Sequence, residues 1–270
     1  MSRTVWFPGH MAKGRRELSE LAARLDLFIE TRDARAPAST SSPDAAALAK
    51  LKPVVAVLAK KDLADPEKTK IWLKGRTRYA FDLRRDGLGP LKKEMLRLKP
   101  AHRELRVGVV GIPNVGKSML LNSLVGGAAA KVGGVPGVTR GVGWYRGNGF
   151  LVVDSPGILD PRSAPGVHLA LSWLGCARAE VVGGYEAAAL GLISFLRRRG
   201  LWLAVAGVWG AAETDEPDEA VLDGIGRRLG CLSSGGAVNS GLAARRLVES
   251  FASGRLGRVT LELPGESIFD

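Results

Sequence analysis

Cysteine is scarce in this chain. Only Cys176 and Cys231 occur in 270 residues, far apart and in no paired spacing, which argues against a disulfide framework or a zinc site. The three histidines, His10, His102 and His168, do not cluster, so no histidine metal centre is indicated. No stretch reaches the roughly 18 apolar residues that a membrane span needs. The longest apolar run, Leu201 to Ala212, is expected to be a buried core segment. The opening MSRTVWFPGHMAKG has no apolar centre, so no signal peptide is expected and a reducing cytoplasm is the expected location. Acid is in short supply: 27 Asp and Glu face 39 Lys and Arg, a formal charge of +12. Such a balance favours polyanion partners, above all RNA or DNA, although a merely well-solvated basic surface would look the same. Against these absences, 46% hydrophobic residues suffice for a sizeable core, and the length allows one large domain or two ordinary ones. No internal repeat is present.

The most informative stretch is Gly111-Ile112-Pro113-Asn114-Val115-Gly116-Lys117-Ser118. It fits the phosphate-loop pattern of Gly, four residues, then Gly-Lys-Ser/Thr. Val-rich Leu105 to Val110 before it predicts a buried parallel strand. Leu120, Leu121 and Leu124 after it predict a helix over Ser118 to Val125. Glycine at 111 and 116 lets the backbone curl until its N–H groups face a phosphate. Lys117 then reaches the β and γ phosphates, and Ser118 holds Mg²⁺. A Gly-rich turn before a helix is the plainer alternative, but both flanking elements suit the motif.

Strand and helix patterns alternate through the first half. Leu18, Leu21 and Leu25 share a face of a helix over Met11 to Leu25, and Leu27 to Thr31 reads as a strand. A helix near Asp44 to Lys50 leads to a buried strand, Val54 to Leu58, with Ala59-Lys60-Lys61-Asp62 at its carboxyl end. Pro66 to Lys74 (helix), Arg78 to Asp82 (strand) and Gly89 to Leu98 (basic helix) follow. This alternation predicts an α/β fold with a doubly wound, mostly parallel sheet, whose ligands sit at the carboxyl ends of its strands. Gly126 to Gly143 lacks periodicity and reads as a mobile segment containing Thr139. Gly149 to Val153 is a strand ending in Asp154-Ser155-Pro156-Gly157, a match to the acidic Mg²⁺-side motif of P-loop GTPases. From about Pro165 strands fade and helices take over. Thr214 is placed to cap a helix on which Leu222, Ile225 and Leu229 share a face and which Gly230 terminates. A second helix over Ser240 to Ala252 carries Arg245 and Arg246, with Arg255 and Arg258 just beyond. The expected division is residues 1–164 for the nucleotide domain and 165–270 for a small helical domain suited to nucleic acid.

GTPases of the common order show the phosphate loop, then Asp-x-x-Gly, then Asn-Lys-x-Asp. Nothing after Gly157 fits the last of these; the candidate, Ala59 to Asp62, precedes the phosphate loop. The motifs are therefore cyclically permuted, which a parallel sheet tolerates. At this point the chain resembles the circularly permuted ribosome-biogenesis GTPases. The matching residues are Trp6-Phe7-Pro8-Gly9-His10-Met11-Ala12-Lys13, Arg32-Asp33-Ala34-Arg35-Ala36-Pro37, the phosphate loop, Pro136 to Arg140, and Asp154 to Gly157. In the tail, Gly230-Cys231-Leu232 and Ser253-Gly254-Arg255-Leu256-Gly257-Arg258 match as well.

The resemblance implies a GTP-hydrolysing assembly factor for the large ribosomal subunit that docks on its pre-ribosomal RNA. No membrane or DNA partner is expected, and a monomer is expected off the ribosome. The resemblance also implies that Lys60, Asp62, Asn114, Val115, Gly116, Lys117, Ser118, Met119 and Gly157 bind the nucleotide. Ser118, Thr139 and Asp154 would hold Mg²⁺, and Asn114 a K⁺ ion. His10, Lys117 and Thr139 would serve catalysis. Familiar GTPases orient the attacking water with a Gln after Asp-x-x-Gly. That position here is Ile158, which can neither donate nor accept a hydrogen bond, and the family points to His10 instead. Where the family has a guanine-contacting Asn, this chain has Ala59, a loss of one hydrogen bond that typically costs about 1–3 kcal/mol. Phe81 to Asp86 also replaces a Ser-containing guanine-side loop. These departures keep two alternatives open, an RNA-binding factor with weak nucleotide binding and a P-loop ATPase. Asp62 argues against the second, because adenine offers no donor pair to it.

Overall fold

In a computed structural model, residues 20–75, 78–126, 131–132, 143–155, 159, 163–209 and 214–269 are described. They fall into two compact units. One comprises the described residues up to 159 together with Glu262–Pro264; the other runs from 163 to 261 and takes in 265–269.

The first unit is built on a seven-stranded sheet. Its strands are β1 (Leu27–Asp33), β2 (Val54–Ala59), β3 (Arg78–Ala80), β4 (Leu105–Val110), β5 (Lys131–Val132), β6 (Trp144–Arg146) and β7 (Phe150–Asp154), in the order β3-β2-β1-β4-β7-β6-β5. Strands β3, β2, β1, β4 and β7 are mutually parallel, whereas β6 and β5 run antiparallel at one edge. Alternate residues go to different cores. Leu27, Ile29, Val55, Val57, Val107 and Val109 pack in one cluster, while Phe28, Val110, Leu151 and Val153 pack in another. Both faces are thus covered, as a parallel sheet with crossover helices requires. Strands β1 and β4 are neighbours at the centre, yet the connection after β1 leads to β2 on one side and that after β4 to β5 at the edge on the other side, beyond β7 and β6. The crevice at their carboxyl ends is a topological switch point.

Strand β1 is two residues longer than the pattern predicts, because it carries buried charge. Glu30 accepts from Ser41 Oγ, from the Ser42 N–H and from Arg32 Nη2, so its burial is compensated. The loop that follows β1 is fastened by a distant residue. Glu262, buried, accepts from the N–H groups of Ala38 and Ser39 and from Ser39 Oγ, while its carbonyl receives Trp72 Nε1 at 3.0 Å. Burial pushes the Glu262 carboxyl up, against the pull of the Ser39 and Ala38 donors and of Arg32.

The second unit is helical. Its principal helices are Pro165–Trp173, Tyr185–Arg198, Asp218–Arg228 and Ser240–Ala252. Trp173 and Phe195 stand 5.2 Å apart and Phe269 closes the ring cluster. Two expectations need correction. Thr214 does not cap the helix of Leu222 and Ile225. That helix starts at Asp218 behind Pro217, and the Thr214 carbonyl instead receives Arg197 Nη2, which shares a guanidinium with the Asp218 pair. Nor is the Leu201 run wholly core, since its short helix Trp202–Ala206 buries Trp202 and Val205 but leaves Leu203 exposed, as is Val208.

Replacing Glu262 with Ala should lower the stability of the first unit by about 1–3 kcal/mol, because three donors lose their acceptor. Glu262→Gln, which keeps an acceptor oxygen and removes the buried charge, should cost less. Urea unfolding followed by Trp fluorescence measures both.

Candidate active site

The phosphate loop leaves β4 at Gly111 with φ 150°, turns through Asn114 at φ 59° and enters the helix Lys117–Val125 at Gly116 with φ 111°. A Cβ at Gly111 would lie 2.6 Å from the Thr31 carbonyl oxygen, so no other residue fits there without moving β1. A Cβ at Gly116 would lie 3.3 Å from Ala59 Cβ, in a conformation that L side chains rarely adopt. Val115 is buried under the loop, while Asn114, Ser118 and Met119 are exposed. Lys117 is largely buried, and its Nζ folds back onto the Ile112 carbonyl oxygen at 2.9 Å. The N–H groups that open the helix and this ammonium form a ready anion cradle.

Strand β7 pairs in parallel with β4, Asp154 standing opposite Val109. This register brings Ser118 Oγ to 3.2 Å from Asp154 Oδ2. The other carboxylate oxygen, Asp154 Oδ1, is buried with no hydrogen-bond partner among the described residues. Burial pushes the Asp154 carboxyl above the usual carboxylate range, with Lys117 and Ser118 pulling the other way. A half-buried carboxylate with one occluded oxygen, beside a hydroxyl, is a hard oxygen donor set that fits Mg²⁺. When bound there, the ion supplies positive charge next to the phosphates that Lys117 and the loop would hold.

The guanine-side elements lie at the ends of β2 and β3. Ala59 is fully buried, and a Cβ added at Gly116 would lie 3.3 Å from its methyl group, which leaves no side-chain polar atom at this point of the turn. Lys60 takes a left-handed conformation, φ 58° and ψ 37°, that costs a non-glycine residue roughly 1–2 kcal/mol. Its Nζ reaches Asp33 Oδ2 at 2.9 Å. Asp62 follows in a short 3₁₀ turn, Lys61–Leu63, and its half-buried carboxylate takes no hydrogen bond from any described residue. The β3 loop is tied to this turn, because Lys61 Nζ pairs with Asp86 Oδ2 at 2.5 Å and the Lys61 N–H donates to the Phe81 carbonyl at 3.2 Å. That same Asp86 oxygen accepts from the Asp82 N–H.

Lys117, Ser118 and Asp154 are therefore brought together as the sequence predicts, with Asn114, Val115, Gly116 and Met119 in the same loop and helix. Lys60 and Asp62 stand at the neighbouring strand end. His10, Thr139 and Gly157 lie outside the described residues, as do Ile158 and most of the segment Gly126 to Gly143. The sequence pattern assigns no role to Asp33 and Arg35, although both belong to the family-like stretch Arg32 to Pro37. Their signal was charge inside an apolar strand end.

Replacing Asp154 with Ala should make nucleotide affinity the same with Mg²⁺ as with a chelator, whereas the parent should bind more tightly with Mg²⁺. A fluorescent-nucleotide titration in both buffers checks this, and an undiminished Mg²⁺ effect would place the ion elsewhere.

A family profile described as 50S ribosome-binding GTPase matches residues 106–183. The ribosome biogenesis GTPase A of Bacillus licheniformis is 34% identical over 96% of this chain and 98% of its own. Mitochondrial ribosome-associated GTPase 1 of Mus musculus is 37% identical over 95% of this chain and 89% of its own. Among solved structures, a GDP-bound form of TM YlqF superposes with a TM-score of 0.66 at 25% identity, covering 93% of this chain and 100% of that one. GNP-bound YlqF from T. maritima has the same TM-score at 24% identity, with 94% and 100% covered, and shows the same fold. Since these likenesses extend over nearly the whole chain, it belongs to the ribosome biogenesis GTPase A family of circularly permuted GTPases.

Proposed function

We propose that this GTPase is an assembly factor for the large ribosomal subunit, using its nucleotide state to control docking on pre-ribosomal RNA. The observation that carries the hydrolytic half is the Ser118–Asp154 pair beside the phosphate loop, with a buried carboxylate oxygen left for a cation. Lys117 would neutralise the β and γ phosphates, and Ser118, Thr139 and Asp154 would hold Mg²⁺. The Gly157 N–H would meet the γ phosphate. Lys60 would lay its stem over the base, and Asp62 would accept from the guanine ring N–H and exocyclic amine. Asn114 would help hold K⁺, adding positive charge where phosphoryl charge develops. His10 would orient the attacking water, since a neutral imidazole accepts a hydrogen bond from water.

For docking, the reading assigns residues 1–164 to nucleotide chemistry and 165–270 to RNA. Arg245, Arg246, Arg255 and Arg258 are all exposed. Two of them have local partners: Arg245 pairs with Glu249 and lies over Tyr185, and Arg246 Nη1 donates to the Leu229 carbonyl. Arg255 and Arg258 then carry more of the phosphate contact. Names of relatives support the ribosomal partner, "50S ribosome-binding GTPase" for the family and "ribosome biogenesis GTPase A" for the bacterial proteins. The protein would act in the cytoplasm as a monomer off the ribosome. Among the described residues, no helix is long and apolar enough to cross a membrane.

One experiment tests both halves: GTP turnover at saturating GTP with K⁺, with and without purified large ribosomal subunits. His10→Ala should lower stimulated turnover by roughly 10²-fold or more while GTP affinity barely changes. Replacing Arg245, Arg246, Arg255 and Arg258 with Ala should leave basal turnover intact, raise the subunit concentration needed for stimulation, and flatten its salt dependence. Turnover of His10→Ala within about twofold of the parent would remove His10 from the chemistry. An unchanged salt slope would make the arginines a solvated face.

A further inference from the structure

Asp33 has no assigned role in nucleotide binding, yet it is the best-supported charge at the ligand edge of the sheet. It is fully buried at the last position of β1, opposite Ala59 in register. Its Oδ1 accepts from the Arg35 backbone N–H and Nε, each at 3.0 Å, and its Oδ2 from Arg35 Nη2 at 2.9 Å. Lys60 Nζ lies 2.9 Å from the same Oδ2. Burial alone would push this carboxyl up; the Arg35 and Lys60 charges and the Arg35 hydrogen bonds outweigh it and hold the group well below the usual carboxylate range. The backbone is pinned at the same place, with the Ala34 N–H donating to the Ala59 carbonyl and the Asp33 N–H to Thr40 Oγ1, both at 2.9 Å.

Two features make this more than a buried ion pair. Arg35 already provides a bidentate partner, so Asp33 does not need Lys60 to be compensated. Lys60 pays for the contact with a left-handed backbone, from which the turn bearing Asp62 departs, its Leu63 N–H returning to the Lys60 carbonyl. Ala59, one residue earlier, has no side-chain polar atom with which to tie the turn to the phosphate loop. The tie runs to β1 instead. We infer that Asp33 is a positioning residue for base recognition: through Lys60 it fixes the turn that presents Asp62 to the guanine edge. Having no exposed surface, Asp33 touches neither base nor phosphate. This rests on the assignment of Asp62 to guanine made above.

ITP, which lacks the exocyclic amine, reads the Asp62 contact directly. Competition titrations of GTP and ITP against a fluorescent nucleotide are to be run on the parent, Asp62→Ala, Asp33→Asn, Lys60→Met and the Asp33→Asn/Lys60→Met double variant. The parent should prefer GTP by about 10-fold or more, and Asp62→Ala should bring the two near parity. Asp33→Asn should shrink the preference to within about 3-fold while its ITP affinity stays within about 3-fold of the parent, since the phosphate loop is untouched. Adding Lys60→Met should shrink it no further, because both act through one contact. A purely structural Asp33 would lower the melting temperature and leave the GTP-to-ITP ratio parental, which overturns the proposal while the Asp62 reading survives. An Asp62→Ala ratio equal to the parent's would instead overturn the guanine assignment and the proposal with it. Should Asp33→Asn not fold, Lys60→Met alone, with the Asp33–Arg35 pair intact, decides: a parental ratio overturns the proposal.

Discussion

At Gly111 the phosphate loop passes so close to β1 that a Cβ would meet the Thr31 carbonyl oxygen at 2.6 Å. The rest of the site follows from that approach. It seats the loop against the end of the central strand, so that the ends of β2 and β7 flank it on either side in the sheet order β2-β1-β4-β7. Ala59 at the end of β2 then faces the loop without a polar side chain, and Asp154 can meet Ser118. None of this depends on which strand comes first in the chain. A parallel sheet defines its ligand crevice by strand neighbours, which is why moving the guanine-side motif ahead of the phosphate loop leaves the site geometry intact.

Two aspartates at this edge are treated in opposite ways. Asp33 is surrounded by donors and stays ionised; because its folded value is lowered, the stability it adds is present above the ordinary value of 3.8 and is lost as pH falls well below it. Asp154 is desolvated, with one oxygen unpaired among the described residues, which disfavours its charged form. A divalent cation relieves that penalty directly. The first carboxylate organises the framework, and the second is left under-satisfied among the described residues, as the proposed cation site requires.

Much of this was legible in the sequence, and the failures share a cause. The β4 strand, Leu105–Val110, and the helix Ser240–Ala252 have the bounds that their apolar spacing predicts. The apolar pattern ends strand β1 at Thr31, ahead of the charged Arg32 and Asp33. Only the pairing of Arg32 with Glu30, and of Asp33 with Arg35 and Lys60, shows how a strand can hold them inside. Glu262 gives no local sign that it fastens Ala38 and Ser39, more than two hundred residues earlier. Thr214 looked like a cap by spacing, but Pro217 and the pull of Arg197 move the helix start to Asp218. Periodicity finds apolar faces; it does not see charge compensated by distant partners.

The central claim is that a permuted phosphate loop and the Asp62 turn form one guanine-nucleotide site. Calorimetric titration of GTP, GDP and ATP into the protein with Mg²⁺, alongside Lys117→Ala, tests it most directly. The account predicts saturable binding of GTP and GDP, ATP weaker by about 10-fold or more, and no measurable GTP binding to Lys117→Ala despite an unchanged circular dichroism spectrum. Equal affinity for ATP and GTP, or parental GTP affinity in Lys117→Ala, would contradict it.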